Sequence, residues 1–240
     1  MVEGSLSAQR LNTMNLHLFS IPGENDIRHI VDASRPYLED KDDPVVAFLP
    51  QAWVNVNHWL EYTVRAFKGL ARVELIDTER MDSSEMEAII RKAHVIYISG
   101  GNTFLLNHRL HVSRLMPYLR KKVQGGLPVI GFSAGSVLCG PTILTSSDLN
   151  SVATSYFEGL NVTPFNFVTH YGKDSYNQAV QDDWLSDYHV FNDNPVIMMC
   201  DDAYLRVDGK KMTLVRGEAY ILRKDQEKER LETGKLINSL

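Results

Sequence analysis

Leu127-Pro128-Val129-Ile130-Gly131-Phe132-Ser133-Ala134-Gly135-Ser136 reads as a strand that breaks sharply into a helix. Val129 and Ile130 are an apolar pair suited to a buried strand. Gly131-Phe132-Ser133-Ala134-Gly135 is a G-x-S-x-G pattern, and helix-compatible residues follow. Such a layout puts a serine hydroxyl on an exposed strand-to-helix turn, where flanking glycines let the backbone fold without a Cβ clash. The Ala134 N–H then lies at a helix start, where it can stabilise an oxyanion. The same small residues would also suit plain helix-on-sheet packing, so the pattern acquires meaning only from its surroundings.

Outward from this stretch, strand and helix patterns alternate. Asn15–Ser20, Pro44–Leu49, Ala71–Ile76, Ala93–Ser99 and Val129–Ile130 read as strands. Between them, 25–38, 54–67, 83–93, 102–111 and 114–124 have helical spacing. The alternation predicts an α/β fold, a mostly parallel sheet sandwiched by helices with right-handed crossovers. Beyond about Leu144 the pattern loosens. Short strands are expected at 167–169, 196–199, 203–207, 211–215 and 218–222, a helix at 175–185, and an Asp208-Gly209 hairpin turn. The charged tail from Arg223 reads as helical or frayed. Residues 1–13 read as a loose N-terminal tail and 14–240 as a single domain.

The chain has 240 residues, 44% hydrophobic and 23% charged, with a formal net charge of −5. That balance argues against a nucleic-acid surface, and no apolar run approaches the ~20 residues of a membrane span. No secretory leader pattern is evident at the start. Cys139 and Cys200 match no zinc or thioredoxin spacing, so a cytoplasmic, reducing location is expected.

In open α/β sheets, sites form beyond the carboxyl ends of strands. Four polar clusters fall there. Ser133 is the first. Ser99-Gly100-Gly101-Asn102-Thr103 is the second, with Gly100 or Gly101 as a second oxyanion donor and Asn102 or Thr103 as helix N-cap. The third is His170, ending a short strand, placed as general base for a serine hydroxyl; His189, in a loop-like stretch, is its rival. The fourth is Cys200-Asp201-Asp202, where a carboxylate could orient an imidazole. Asp148 is a further candidate. No G-x-G-x-x-G follows the first strand, which weakens a dinucleotide-binding reading.

Jointly these segments resemble the peptidase E family of serine peptidases. Ile98 to Leu106 is similar to its G-G-N-T-x-x-L segment, and Gly131 to Ser136 to its nucleophile segment. Pro141 to Asp148 resembles its P-T-I-x-T-x-x-D continuation, and Phe48-Leu49-Pro50-Gln51-Ala52 an early F-I-P-x-A strand end. The matches run in order from about residue 44 to 205. The resemblance implies a class I glutamine amidotransferase-like fold with serine in place of cysteine. It implies Ser133 as nucleophile, His170, 37 residues later, as base, and a carboxylate after a late strand. The family has a glutamate in a P-E-G-N-like turn where this chain has Asp201-Asp202. Asp201 is favoured, with Asp202 and Asp148 behind it.

The resemblance further implies hydrolysis of short peptides through an acyl-enzyme, with no cofactor or metal, and a site formed with Asn102 and Thr103. The family's aspartyl dipeptidases bind the substrate carboxylate through an arginine downstream of the histidine. Residues 172–185 contain none, and Tyr176 stands near the matching position, so strict aspartate specificity is not expected. The rivals are a cyanophycinase-like β-aspartyl hydrolase and a catalytically silent binding member of the fold. A homodimer is a plausible assembly.

Overall fold

The computed structural model describes residues 14–21, 27–172 and 178–237. The proposed tail (1–13) and Tyr176 lie outside the described residues.

Five parallel strands form one half of an eight-stranded sheet: β1 (Asn15–Phe19), β2 (Val45–Leu49), β3 (Arg72–Leu75), β4 (Val95–Ile98) and β5 (Val129–Phe132). The other half is antiparallel: β8 (Tyr204–Asp208) on β1, then β9 (Lys211–Arg216), then β12 (Leu236–Ile237). The full order is β12-β9-β8-β1-β5-β4-β2-β3. A second sheet has the order β11-β10-β7-β6, with β6 Asn166–Val168, β7 Val196–Met199, β10 Ala219–Leu222 and β11 Glu229–Arg230. The expectation of a mostly parallel sheet is therefore corrected to a mixed one. The physical reason is local: β8 and β9 are joined by a hairpin, which can only pair antiparallel, and β8 seats on the free edge of β1. The tail past Arg223 is not helical; it supplies β11 and β12.

The helices are α1 (Arg28–Ser34), α2 (Val56–Ala66), α3 (Ser83–Lys92), α4 (Thr103–Val112), α5 (Met116–Gln124), α6 (Ala134–Val137) and α7 (Gln178–Phe191). A 3-10 turn at Arg35–Tyr37 shortens the first predicted helix, because Pro36 favours a turn start there. The parallel strands alternate their side chains between two cores. Val46, Phe48, Val95 and Tyr97 face one, with Ile30 and Val31 of α1. Ala47, Leu49, Ile96 and Ile98 face the other, with Met86, Ile90, Leu106 and Leu119. Helices therefore flank the parallel half on both faces, as period-two burial in parallel strands demands. The second sheet repeats the device: Ile197 and Met199 join the larger core, while Val196 and Met198 pack with Leu185 and Tyr188 of α7. No helix among the described residues is long and apolar enough to cross a membrane.

The core also holds polar contacts. His17 on β1 is 4% exposed and lies between two tyrosines, with Nδ1 2.5 Å from Tyr204 Oη and Nε2 2.9 Å from Tyr37 Oη. Burial holds its pKa down to about 4, and the Arg206 guanidinium adds to the effect. The folded state thus disfavours the protonated ring relative to the unfolded chain. The unfolded chain binds more protons between about pH 6.5 and 4, so His17 costs stability progressively as pH falls through that window, up to about 3 kcal/mol. His17→Phe should therefore flatten the loss of urea midpoint between pH 7 and pH 4.5, even if it lowers the midpoint at pH 7. An unchanged acid slope in the variant would show that other groups carry it.

Candidate active site

After β5 the chain turns sharply. Ser133 has φ 48° and ψ −109°, and α6 begins at the next residue. A non-glycine residue in this region is strained, at a cost of roughly 1–3 kcal/mol, and persists only where its surroundings fix it. Several contacts do so. Ser133 N–H donates to the Phe19 carbonyl at 2.9 Å. The Ser136 hydroxyl lies within hydrogen-bond distance of the carbonyls of Phe19 (2.9 Å) and Gly131 (3.0 Å). Gly135 lies against β4: a Cβ there would sit 2.3 Å from the Ile98 carbonyl oxygen.

His170 follows β6, with its own backbone at φ 60°. Its N–H donates to Ser20 Oγ at 2.9 Å, and the Ser20 hydroxyl reaches the Met199 carbonyl at 3.3 Å. Ser20, fully buried at the end of β1, thus ties the two sheets together directly beneath the histidine. The ring reaches Ser133: Ser133 Oγ is 2.8 Å from His170 Nε2. On the other side, His170 Nδ1 is 2.7 Å from Asp201 Oδ1. A carboxylate only accepts, so this contact places the proton on Nδ1 and leaves Nε2 to accept from the serine hydroxyl.

The other carboxylates are engaged elsewhere. Asp202 Oδ1 accepts from Glu218 N–H at 3.2 Å, closing the turn between the two sheets. Asp148 Oδ2 accepts from the Thr103 N–H (2.7 Å), the Thr103 hydroxyl (2.6 Å) and the Ser146 hydroxyl (3.1 Å). Asn102 caps α4, its Oδ1 accepting from Leu105 N–H, while its Nδ2 donates to the Leu149 carbonyl. The side-chain polar atoms of Asn102 and Thr103 are therefore committed to capping α4 and to holding the 144–150 loop onto it. His189 is not in a loop: it is buried in α7, with Nδ1 3.1 Å from the Asn192 carbonyl oxygen. An uninterrupted helical run from Gln178 to Phe191, ended only before Pro195, explains the difference.

Gly100 and Gly101 lie beside Ser133. A Cβ on Gly100 would be 3.1 Å from Ser133 Cβ. Gly101 has φ 127°, and a Cβ there would be 2.6 Å from the Ala52 carbonyl oxygen, so only glycine fits. Their N–H groups have no intramolecular acceptor among the described residues. Ser133 and His170 open on a cavity of about 310 Å³, walled also by Trp53, Gly101, Phe132, Ser147 and Asp148. Trp53 and Ser20 escape sequence reasoning because neither belongs to a recognisable pattern, and Ser146 and Ser147 because they fill the unspecified positions of the P-T-I-x-T-x-x-D segment. Ser20 alone leaves a trace, as a polar residue closing an apolar strand. Among the described residues, no group of three or more His, Cys, Asp or Glu is placed to hold a metal.

If Asp148 is a structural cap, Asp148→Ala should release the Thr103 N–H and hydroxyl and lower stability by about 1–2 kcal/mol. A shift in urea midpoint reads this directly, and an unchanged midpoint would contradict the capping role.

Comparison with known proteins points to one family. The family model "Peptidase family S51" matches residues 18–215. A protein named peptidase E from a Nostoc species is 31% identical over 191 residues, covering 77% of this chain and 78% of that protein. A peptidase E from Shewanella denitrificans is 28% identical over 234 residues, covering 95% of this chain and 98% of that protein. Among solved structures, a peptidase from an acI-B1 actinobacterium shares the fold with a TM-score of 0.74 at 18% identity, covering 94% of this chain and 98% of that one. A putative peptidase E protein from Listeria monocytogenes does so with a TM-score of 0.68 at 23% identity, covering 85% and 98%. With most of its length matched to that family model, the chain belongs to peptidase family S51.

Proposed function

We propose that this protein is a serine peptidase that hydrolyses short peptides, with Ser133 as nucleophile, His170 as general base and Asp201 as the orienting acid. The observation that carries this is the continuous relay Ser133 Oγ–His170 Nε2–His170 Nδ1–Asp201 Oδ1, at 2.8 and 2.7 Å, opening on a cavity. The strained turn at Ser133 then serves as a nucleophile elbow.

In this reading the Ser133 hydroxyl attacks the scissile carbonyl carbon as His170 Nε2 takes its proton. The N–H of Ala134, with that of Gly100 or Gly101, receives the oxyanion. His170 gives the proton to the leaving amine, and water, activated by His170, releases the acyl group. Both thiols are poor competitors for the nucleophile role. Burial pushes Cys139 up to about 12 and, with the nearby Glu218, Asp202 and Asp201 carboxylates, Cys200 up to about 11, so each is a neutral thiol at pH 7.

Ser133→Ala should abolish both labelling by a fluorophosphonate and turnover of a dipeptide and tripeptide library followed by mass spectrometry. Asp201→Asn, which keeps the shape of the contact, should lower kcat by about 1,000- to 10,000-fold by favouring the wrong imidazole tautomer. Full activity in Ser133→Ala would refute the nucleophile assignment, and full activity in Asp201→Asn would refute the acid.

A further inference from the structure

A second cavity of about 120 Å³ adjoins the one that holds Ser133 and His170, and the two share the wall made by Ser146 and Ser147. Its size is many times the ~15 Å³ that admits one water. Leu144 and Trp184 stand at 46% and 49% exposure among its lining residues, and Val168, Leu185 and Tyr188 are buried there. Large apolar side chains half-exposed around a cavity beside a reactive serine are an unusual arrangement for a surface with no ligand to cover. The polar atoms around this cavity are largely spent. Thr145 donates to the Phe167 carbonyl at 2.8 Å, Tyr188 Oη accepts from Asn166 at 2.6 Å, and Gln181 Oε1 accepts from Gly172 N–H at 3.0 Å. Gln181 Nε2 is buried and has no partner among the described residues. No charged side chain lines the cavity among the described residues.

We propose that this cavity is the specificity subsite of the peptidase, taking an uncharged apolar side chain, leucine or phenylalanine in type, from the substrate residue next to the scissile bond. The inference rests on the serine peptidase reading above and names its substrate class. An apolar side chain entering here replaces water against Leu144, Val168, Trp184 and Leu185. A carboxylate entering would be stripped of water with one neutral amide N–H at hand and no cation among the described residues, which does not offset its desolvation. An ammonium would meet no carboxylate in the same wall.

The test compares kcat/KM for two dipeptide series, X-Ala and Ala-X, with X as Leu, Phe, Gly, Asp or Lys. In one series Leu or Phe should exceed Gly and Asp by at least about tenfold, the discrimination typical of an apolar pocket. Trp184 is half-exposed on α7, so its truncation should leave the fold intact. Trp184→Ala should reduce the Leu-to-Gly ratio about tenfold, and Trp184→Phe should restore most of it. A flat profile, a preference for Asp, or an unchanged Leu-to-Gly ratio in Trp184→Ala would overturn the subsite. Labelling of wild type with diisopropyl fluorophosphate separates the two failures. If Ser133 is labelled and peptides are turned over without apolar preference, only the subsite fails; if Ser133 is not labelled and no peptide is cleaved, the underlying reading fails with it.

Discussion

The close approach of α6 to β4 is the constraint on which the site depends. With a Cβ at position 135 forced to within 2.3 Å of the Ile98 oxygen, any residue larger than glycine would push α6 off the sheet. That displacement would move Ser133, because the serine's strained backbone is fixed from both sides, by its N–H on Phe19 and by the helix that follows. Gly131 stands under the same restriction, its own Cβ position lying 2.8 Å from the Gly135 carbonyl oxygen. The G-x-S-x-G pattern is thus a packing requirement before it is a chemical one. The two glycines let a helix start against the sheet, and the serine between them is projected into the cavity as a result.

The second sheet solves a different problem. A parallel sheet can present a serine beyond one strand, but the histidine and carboxylate must approach it from another direction. β6 and β7 run parallel, so the residues beyond their carboxyl ends, His170 and Asp201, emerge side by side. Ser20 fixes the distance between this pair and the main sheet, through His170 N–H and the Met199 carbonyl. The backbone strain at His170, like that at Ser133, is held by such contacts, so the geometry of the relay is built into the folded chain before any substrate arrives.

What the sequence makes legible follows from which interactions are local. The five parallel strands and their helices show clearly because each is coded by its own periodicity, and Ser133 and His170 because each ends a strand. The antiparallel half was less legible. Whether β8 pairs with β1 or begins a separate sheet depends on contacts nearly two hundred positions apart, and β11 and β12 are two-residue strands with no pattern of their own. The polar tail therefore looks frayed until β9 and β10 are there to receive it. Asn102 and Thr103 were legible as polar residues at a strand end, but not as side chains already engaged, since the engaging partner, Asp148, arrives from another loop. Neighbouring aspartates at 201 and 202 are equally ambiguous in one dimension. In space the turn sends one toward the imidazole and the other toward Glu218 N–H.

Asp148 connects the cap of α4 to the character of the cavity. Its carboxylate is held at the wall by the Thr103 N–H and hydroxyl and by the Ser146 hydroxyl, three neutral donors. Neutral donors stabilise a carboxylate without cancelling its charge, so the cavity beside Ser133 keeps a negative wall. No Lys or Arg lines that cavity among the described residues. A substrate carboxylate placed there would meet like charge at close range in a partly desolvated space, where such repulsion is only weakly screened. The residue that looks in sequence like a possible member of the relay is engaged instead by Thr103 and Ser146. It anchors the loop that carries Leu144, Ser146 and Ser147 onto the start of α4, beside Ser133.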